Sequence, residues 1–134
     1  MKVEDHLESF KEHKETIFDW ALRVKGLKNS QRIVGLHASR GIIDLFSAYL
    51  HEKNKITIGA QINHRWFKSN KVKEKLPEFE EKDNLVSELV ELEVLCEDLS
   101  YGAPKPVEKI ERALKIFKRL EETIEGLRKK NGKI

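Results

Sequence analysis

The stretch that decides the fold is QRIVGLHASRGIIDLFSAYLHEK, residues 31–53. When its residues are placed about 100° apart, as in an α-helix, apolar side chains cover most sides of the helix. A helix that is apolar on most sides is buried among other helices, whereas a surface helix has one apolar face. The stretch therefore predicts the central helix of an all-α protein.

One strip of this predicted helix is polar. Its members follow one another at spacings of three and four residues: Ile33, His37, Arg40, Asp44, Ser47 and His51. Because a buried charge without a partner is costly, Arg40 and Asp44, four residues apart, are predicted to form an ion pair.

Two interpretations of this polar strip stay open. It can be an interface between two copies of the chain, in which the Arg40–Asp44 pair fixes the register. It can also be an electropositive cleft in which the candidate catalytic residues, His37 with either Arg40 or Arg32, handle a phosphate. We expect no metal site, since no two histidines have the i,i+4 spacing that would direct both rings at one ion.

The rest of the chain predicts further helices with short connections. The first spans about residues 4–24, the third begins at the N-cap Asp83 and ends at Gly102, and the last begins near Pro106. The sequence thus predicts an antiparallel four- to five-helix bundle that forms one domain over residues 1–134.

The least regular segment, between the second and third long helices, is basic and aromatic. It reads INHRWFKSNKVKEK, and its candidate RNA-binding residues are His64, Arg65, Trp66, Phe67 and Lys68. Cations beside exposed aromatic rings suit single-stranded RNA, because phosphates meet the cations and bases stack on the rings. The alternative is that the two rings close one end of the bundle while the lysines remain solvated.

Composition restricts the class of protein further. The net charge of +3 does not by itself indicate nucleic acid, and no apolar run is long enough for a bilayer span. Cys96 is the only cysteine, so we expect a reducing, cytoplasmic environment without disulfides. The excess of lysine and glutamate, with two glutamines, is typical of hyperthermophile proteins. The basic end, RKKNGKI, is expected to fray.

Three segments together resemble the small stand-alone HEPN domains (higher eukaryote and prokaryote nucleotide-binding domains) of archaea and bacteria. GLHASRGIIDLFSAYLHEKNK is similar to the second helix of that family, HRWFK to its His-plus-aromatic segment, and LEVLCEDLSYG to the end of its third long helix. The resemblance is one of layout, and it extends over most of the chain.

The resemblance implies a bundle that dimerises, and many family members are metal-independent ribonucleases with an Arg-x4-6-His motif. RIVGLH, from Arg32 to His37, has that spacing. The expected function is therefore a dimeric RNA- or nucleotide-binding module, with or without cleavage, such as the toxin of a toxin–antitoxin pair. The alternatives are a scaffold homodimer and a non-catalytic partner of a small nucleotidyltransferase. No cofactor is expected.

Overall fold

The computed structural model describes residues 1–130, and the regular structure within them is entirely helical. The long helices are α1 (Val3–Glu15), α2 (Gln31–Glu52), α3 (Lys82–Ser100) and α4 (Val107–Lys130). This architecture confirms the predicted all-α helical bundle. None of these helices combines the length and the hydropathy that a bilayer span requires.

α1 continues without a break into a wider, π-helical segment, Thr16–Lys25. The two together correspond to the single first helix that the sequence predicts. Gly26 ends the segment with a φ of +82°, a left-handed conformation that glycine adopts at little cost. One 3-10 turn, Lys28–Ser30, then leads into α2.

α2 is the central helix, as its apolar sides predict, and it packs against α1, α3 and α4. α1 and α2 are antiparallel, because His6 contacts Asp44 whereas His13, further along α1, contacts His37, which comes earlier in α2. α3 is also antiparallel to α2. The core between them contains large, fully buried side chains such as Phe46 and Leu92.

Two glycines of α2 mark close contacts with its neighbours. A Cβ added at Gly35 would lie 2.8 Å from the backbone nitrogen of Ser100 on α3. A Cβ added at Gly41 would lie 2.9 Å from the Cβ of His13 on α1. Real Cβ atoms do not approach other atoms this closely, so α2 can touch both helices only because these positions lack a side chain.

The chain between α2 and α3 contains two 3-10 helices, here called the first 3-10 helix, His64–Lys68, and the second 3-10 helix, Asn70–Lys75. Phe67 and Val72 are buried and fix these turns to the core. The side chain of Asn63 accepts a hydrogen bond from the backbone of Arg65 and so caps the first turn. α3 begins after Glu81, two residues before the N-cap that the sequence predicts.

Ion pairs join the outer surfaces of α3 and α4. Arg119 donates to Glu88 at 2.9 Å and Lys109 to Asp98 at 2.8 Å; both pairs are largely exposed, so each stabilises the fold only weakly. Arg128 lies within α4 and pairs with Glu52 of α2 at 2.7 Å, so the prediction of fraying is wrong for this residue. The last part of the predicted frayed end, residues 131–134, lies outside the described residues.

Candidate functional site

Most of the polar strip of α2 faces α1 within the same chain. The carboxylate of Asp44 accepts hydrogen bonds from His6 Nδ1 at 2.9 Å and from Ser9 Oγ at 2.6 Å, and His13 Nε2 lies 3.8 Å away. The predicted Arg40–Asp44 ion pair is not among the contacts of the described residues. That prediction is wrong because side chains of α1 occupy the Asp44 carboxylate.

His37 also contacts α1, through a hydrogen bond of 2.9 Å between its Nδ1 and the Nδ1 of His13. Burial lowers the pKa of His37, and the neighbouring His13 and Arg40 lower it further. Burial also lowers the pKa of His13, against the opposing pull of Asp44. One ring must donate and the other accept, so this contact requires at least one unprotonated Nδ1.

The strip ends at two stacked histidine rings. His6 and His51 have ring centroids 5.4 Å apart, and both side chains are buried. Burial lowers the pKa of His51, and the neighbouring His6 lowers it further. The strip is therefore an internal α1–α2 contact, and its interpretation as an interface between two copies is wrong for Asp44 and His51, which are turned toward α1.

Arg40 points away from this contact, toward the first 3-10 helix. Its Nε donates to His64 Nε2 at 3.2 Å, and its Nη1 donates to the carbonyl oxygen of Leu36 at 2.9 Å. On the opposite side of the imidazole, Nδ1 of His64 lies 2.9 Å from Oε1 of Glu93. Glu93, on α3, is only 5% exposed.

This geometry fixes the tautomer of His64. A guanidinium can only donate hydrogen bonds, so Nε2 of His64 must carry the lone pair that accepts from Arg40. The proton then lies on Nδ1, which donates to the Glu93 carboxylate. His64 is thus held between a buried carboxylate and a guanidinium, and its Nε2 can accept a proton from a ligand only when the contact with Arg40 is broken.

Arg40, His64 and Glu93 line a cavity of about 280 Å³ between α2, α3 and the first 3-10 helix, here called the central cavity. Its lining residues come from all three elements: Gly35, Leu36, Ser39, Arg40, His64, Arg65, Lys68, Glu93, Cys96, Glu97, Ser100 and Tyr101.

The central cavity is lined by three cations, Arg40, Arg65 and Lys68, and by two carboxylates, Glu93 and Glu97. Arg65 and Lys68 are exposed and add two cations to Arg40. Cys96 forms part of the wall, but burial raises the pKa of its thiol to about 12. A thiol with such a pKa is protonated at neutral pH and therefore a poor nucleophile.

A second groove adjoins the central cavity. Arg40, His64 and Arg65 line both spaces, and the groove continues past His13 and Asn63 with a volume of about 450 Å³. A ligand longer than one nucleotide could therefore extend from the cavity along the surface while remaining in contact with the same cations.

The candidate catalytic residues predicted from the sequence do not converge. Arg32 donates to the carbonyl oxygen of Gly102 at 2.6 Å, at the end of the bundle where α3 meets the α4 connection. His37 contacts His13 instead of lining the central cavity. The version of the prediction that pairs Arg32 with His37 is therefore wrong. His37 and Arg40 are neighbours, but only Arg40 lies in the cavity.

The candidate RNA-binding residues also separate. His64, Arg65 and Lys68 line the central cavity. Phe67 is 0% exposed, so the prediction that it offers a stacking face to RNA is wrong; its ring packs in the core against Phe46 instead. Trp66 is half-buried.

Glu93, Glu97 and Tyr101 are cavity residues that the sequence reasoning missed. Glu93 shares the buried face of α3 with Leu89 and Cys96. Its spacings of four and three from these two residues are the signal that could have identified it. An acid in phase with an apolar stripe must have a buried partner.

In comparisons with models of protein families, with curated proteins and with solved structures, the chain has no match. Within residues 1–130, no three His, Cys, Asp or Glu side chains are grouped so that they could hold a metal ion. The case for a function therefore rests on the chemistry of the central cavity.

Proposed function

We propose that the chain binds single-stranded RNA in the central cavity and cleaves it with its own side chains. The observation that carries this proposal is the position of His64 between the buried carboxylate of Glu93 and the guanidinium of Arg40. A carboxylate–imidazole pair next to a fixed cation is suited to moving a proton beside a phosphate.

Three cations provide the binding energy for the phosphate. Arg40 is oriented toward the cavity by its hydrogen bonds to Leu36 and His64, and a phosphate can replace His64 as the acceptor of its Nε–H. Arg65 and Lys68 are exposed at the edge of the cavity and are free to close on a phosphodiester from solvent. A guanidinium can hold two phosphate oxygens at once, which fixes the orientation of the scissile group.

Cleavage would proceed by transfer within the RNA. When a phosphate draws the Arg40 guanidinium toward itself, Nε2 of His64 is released and can accept the proton of a ribose 2′-hydroxyl. The 2′-oxygen then bonds to phosphorus, the bond from phosphorus to the 5′-oxygen breaks, and the leaving oxygen takes a proton from water. Arg40 stabilises the extra negative charge on the phosphate, and Glu93 stabilises the His64 imidazolium.

The resemblance to HEPN domains supports the same class of reaction, but the proposed residues are different. Arg40 and His64 replace the Arg32–His37 pair that the motif spacing suggests. Toxin activity against RNA is one cellular setting for such a reaction. The scaffold and nucleotidyltransferase-partner alternatives differ from it because neither requires an intact His64–Glu93 pair.

The homodimer expected from the sequence stays a prediction. Since Asp44 and His51 are occupied by α1, a second copy would have to contact other surfaces. Apolar side chains exposed near the cavity are Leu36, Val94 and Tyr101. Sedimentation of the purified chain at micromolar concentration tests this prediction, and a monomer alone would contradict it.

The decisive test of the proposed function is incubation of a fluorescent single-stranded RNA with the protein in EDTA. We expect cleavage that leaves a 2′,3′-cyclic phosphate, and a rate that falls about 10²–10⁴-fold in His64→Ala. His37→Ala is the matched comparison, because His37 lies near Arg40 without lining the cavity. It should retain most of the activity.

Binding is measured separately, with RNA methylated at every 2′-oxygen so that it cannot be cleaved. The double variant Arg65→Ala/Lys68→Ala should bind more weakly and with a shallower dependence on salt. Its control is Lys11→Ala/Lys71→Ala, which removes the same charge from exposed positions that do not line the central cavity. Equal binding by the two double variants would remove the cavity as the RNA site.

A further inference from the structure

The central cavity contains one feature that a phosphate site does not need. Glu97 lies at its edge, exposed, and makes no ion pair or side-chain hydrogen bond among the described residues. The other surface acids of α3 that face α4 have basic partners, as Glu91 does in its pair with Arg112. A carboxylate repels phosphate. In a cavity that binds RNA, Glu97 would therefore interact with a part of the ligand other than the phosphate.

Tyr101 also lines the central cavity. It follows Glu97 by four positions, directly after the end of α3, and is 68% exposed. A large exposed aromatic side chain at a cavity entrance offers a face on which a nucleobase can stack. Glu97 and Tyr101 therefore both border the cavity, one from the last turn of α3 and the other from the residue that follows the helix.

We propose that Glu97 and Tyr101 form a base-recognition subsite that selects guanine; this inference rests on the proposed function. Guanine presents two adjacent N–H donors on its Watson–Crick edge, from N1 and the 2-amino group, and both oxygens of one carboxylate can accept them. Such paired, charge-assisted hydrogen bonds are strong and specific in direction. Adenine places a lone pair beside its amino group, and uracil places carbonyl oxygens on both sides of its single N–H, so each would face the carboxylate with an acceptor.

The two ends of the cavity then separate the two parts of a nucleotide. The cations Arg40, Arg65 and Lys68 attract the phosphate, whereas Glu97 attracts only the donors of the base. Gly35 also lines the cavity, at a close contact of α2 with α3. Selectivity and affinity for RNA are therefore assigned to different residues, and each can be removed without the other.

The test compares two RNA oligomers of ten nucleotides with methylated 2′-oxygens, one of uridines only and one with a single central guanosine. By fluorescence anisotropy, the wild-type protein should bind the guanosine oligomer about tenfold more tightly, as expected for one paired base contact. Oligomers with a central adenosine or cytidine should bind less tightly than the guanosine oligomer.

Glu97→Gln should bind both oligomers with nearly equal affinity, because the amide supplies one acceptor and presents a donor to the second N–H of guanine. Glu108→Gln is the matched control: it removes the same charge from an exposed position on α4 and should keep the tenfold preference. Tyr101→Ala should weaken binding of the guanosine oligomer, and Tyr101→Phe should restore it.

The outcomes separate this inference from the proposed function. Tight binding of all oligomers without a preference for guanosine overturns the subsite and leaves the RNA site standing. A guanosine preference that survives in Glu97→Gln overturns the assignment to Glu97. If the wild-type protein binds none of the oligomers, the proposed function and the subsite both fail.

Discussion

The molecule contains two carboxylate–histidine pairs in contrasting surroundings. In the α1–α2 contact, Asp44 holds His6, and in the central cavity Glu93 holds His64. Both pairs have a separation of 2.9 Å between nitrogen and oxygen, and in both the histidine uses Nδ1. The chemistry of the two pairs is the same.

Access to the second ring nitrogen makes the difference. Nε2 of His6 is buried with no hydrogen-bond partner among the described residues, and the ring stacks on His51. Nε2 of His64 faces Arg40 in an open cavity. The comparison teaches that a carboxylate–histidine pair contributes to stability where packing closes the ring, and can serve chemistry where the second ring nitrogen borders an open cavity.

The largest effect that would sharpen this comparison is expected for Glu93→Gln. The neutral amide can still accept from Nδ1–H of His64 but no longer stabilises the imidazolium that forms when Nε2 takes up a proton. We expect the rate of RNA cleavage to fall about 10²–10⁴-fold while RNA binding persists. A cleavage rate within a factor of about three of wild type would contradict the role assigned to the Glu93 carboxylate.

Asp44→Ala tests the other pair, through stability. Its removal leaves His6 and Ser9 without their acceptor in a mostly buried contact and takes away the carboxylate 3.8 Å from His13, which should lower the free energy of unfolding by about 3 kcal/mol. Chemical denaturation measures this loss. The control is Asp83→Ala, whose exposed pair with Lys73 should be worth less than about 1 kcal/mol. Equal losses in both variants would contradict the description of Asp44 as the centre of the α1–α2 contact.

Gly41→Ala should separate α1 from α2 by steric contact alone. The new methyl group would meet the Cβ of His13, so we expect a loss of about 1–3 kcal/mol in the free energy of unfolding. Gly126→Ala, in α4 where no atom lies within 4 Å of the added Cβ, should instead stabilise the fold by about 0.5–1 kcal/mol. Thermal unfolding of the two variants distinguishes a close helix contact from general intolerance of alanine.

The smallest expected effect is a pH dependence of stability in the α1–α2 contact. Burial lowers the pKa values of His13 and His37 below the ordinary value of 6.5, with Arg40 lowering both and Asp44 opposing the shift at His13. The unfolded chain therefore binds more protons below pH 6.5, so this stability is present above 6.5 and is lost as the pH falls through the folded-state values.

Melting curves between pH 7.5 and pH 5.5 measure this loss. His37→Gln removes one of the two titrating groups, and it should reduce the fall in melting temperature over that range. An unchanged fall would show that groups outside the His13–His37 contact control the acid response.

Much of the fold could be predicted from the sequence because it depends on local patterns. The apolar sides of α2 identified the central helix, and the breaks at Gly26 and Gly102 were recognised from residue type alone. The sequence also indicated the short segment around Phe67, with two alternatives for the ring: a stacking face for RNA, or a ring that closes one end of the bundle. The ring is buried, which agrees with the second alternative.

The site could be predicted only in part, because its residues come from three separate elements. Arg40 and His64 were identified individually, as an unusual charge in a buried helix and as a histidine in a basic segment. Their contact across 24 positions depends on how α2 meets the first 3-10 helix, and no periodicity contains that information. Asp44 likewise could pair with Arg40 or with His6, and only the packing of α1 against α2 decides between them.

The glycines of α2 also have a consequence for how the protein folds. Each glycine inside a helix disfavours the helical state by about 1 kcal/mol relative to alanine, so Gly35 and Gly41 together make residues 31–52 a weak helix when isolated. A peptide of that segment should therefore be largely unstructured in water. The central helix can form only as α1 and α3 dock against it, which makes folding of these three helices one cooperative event.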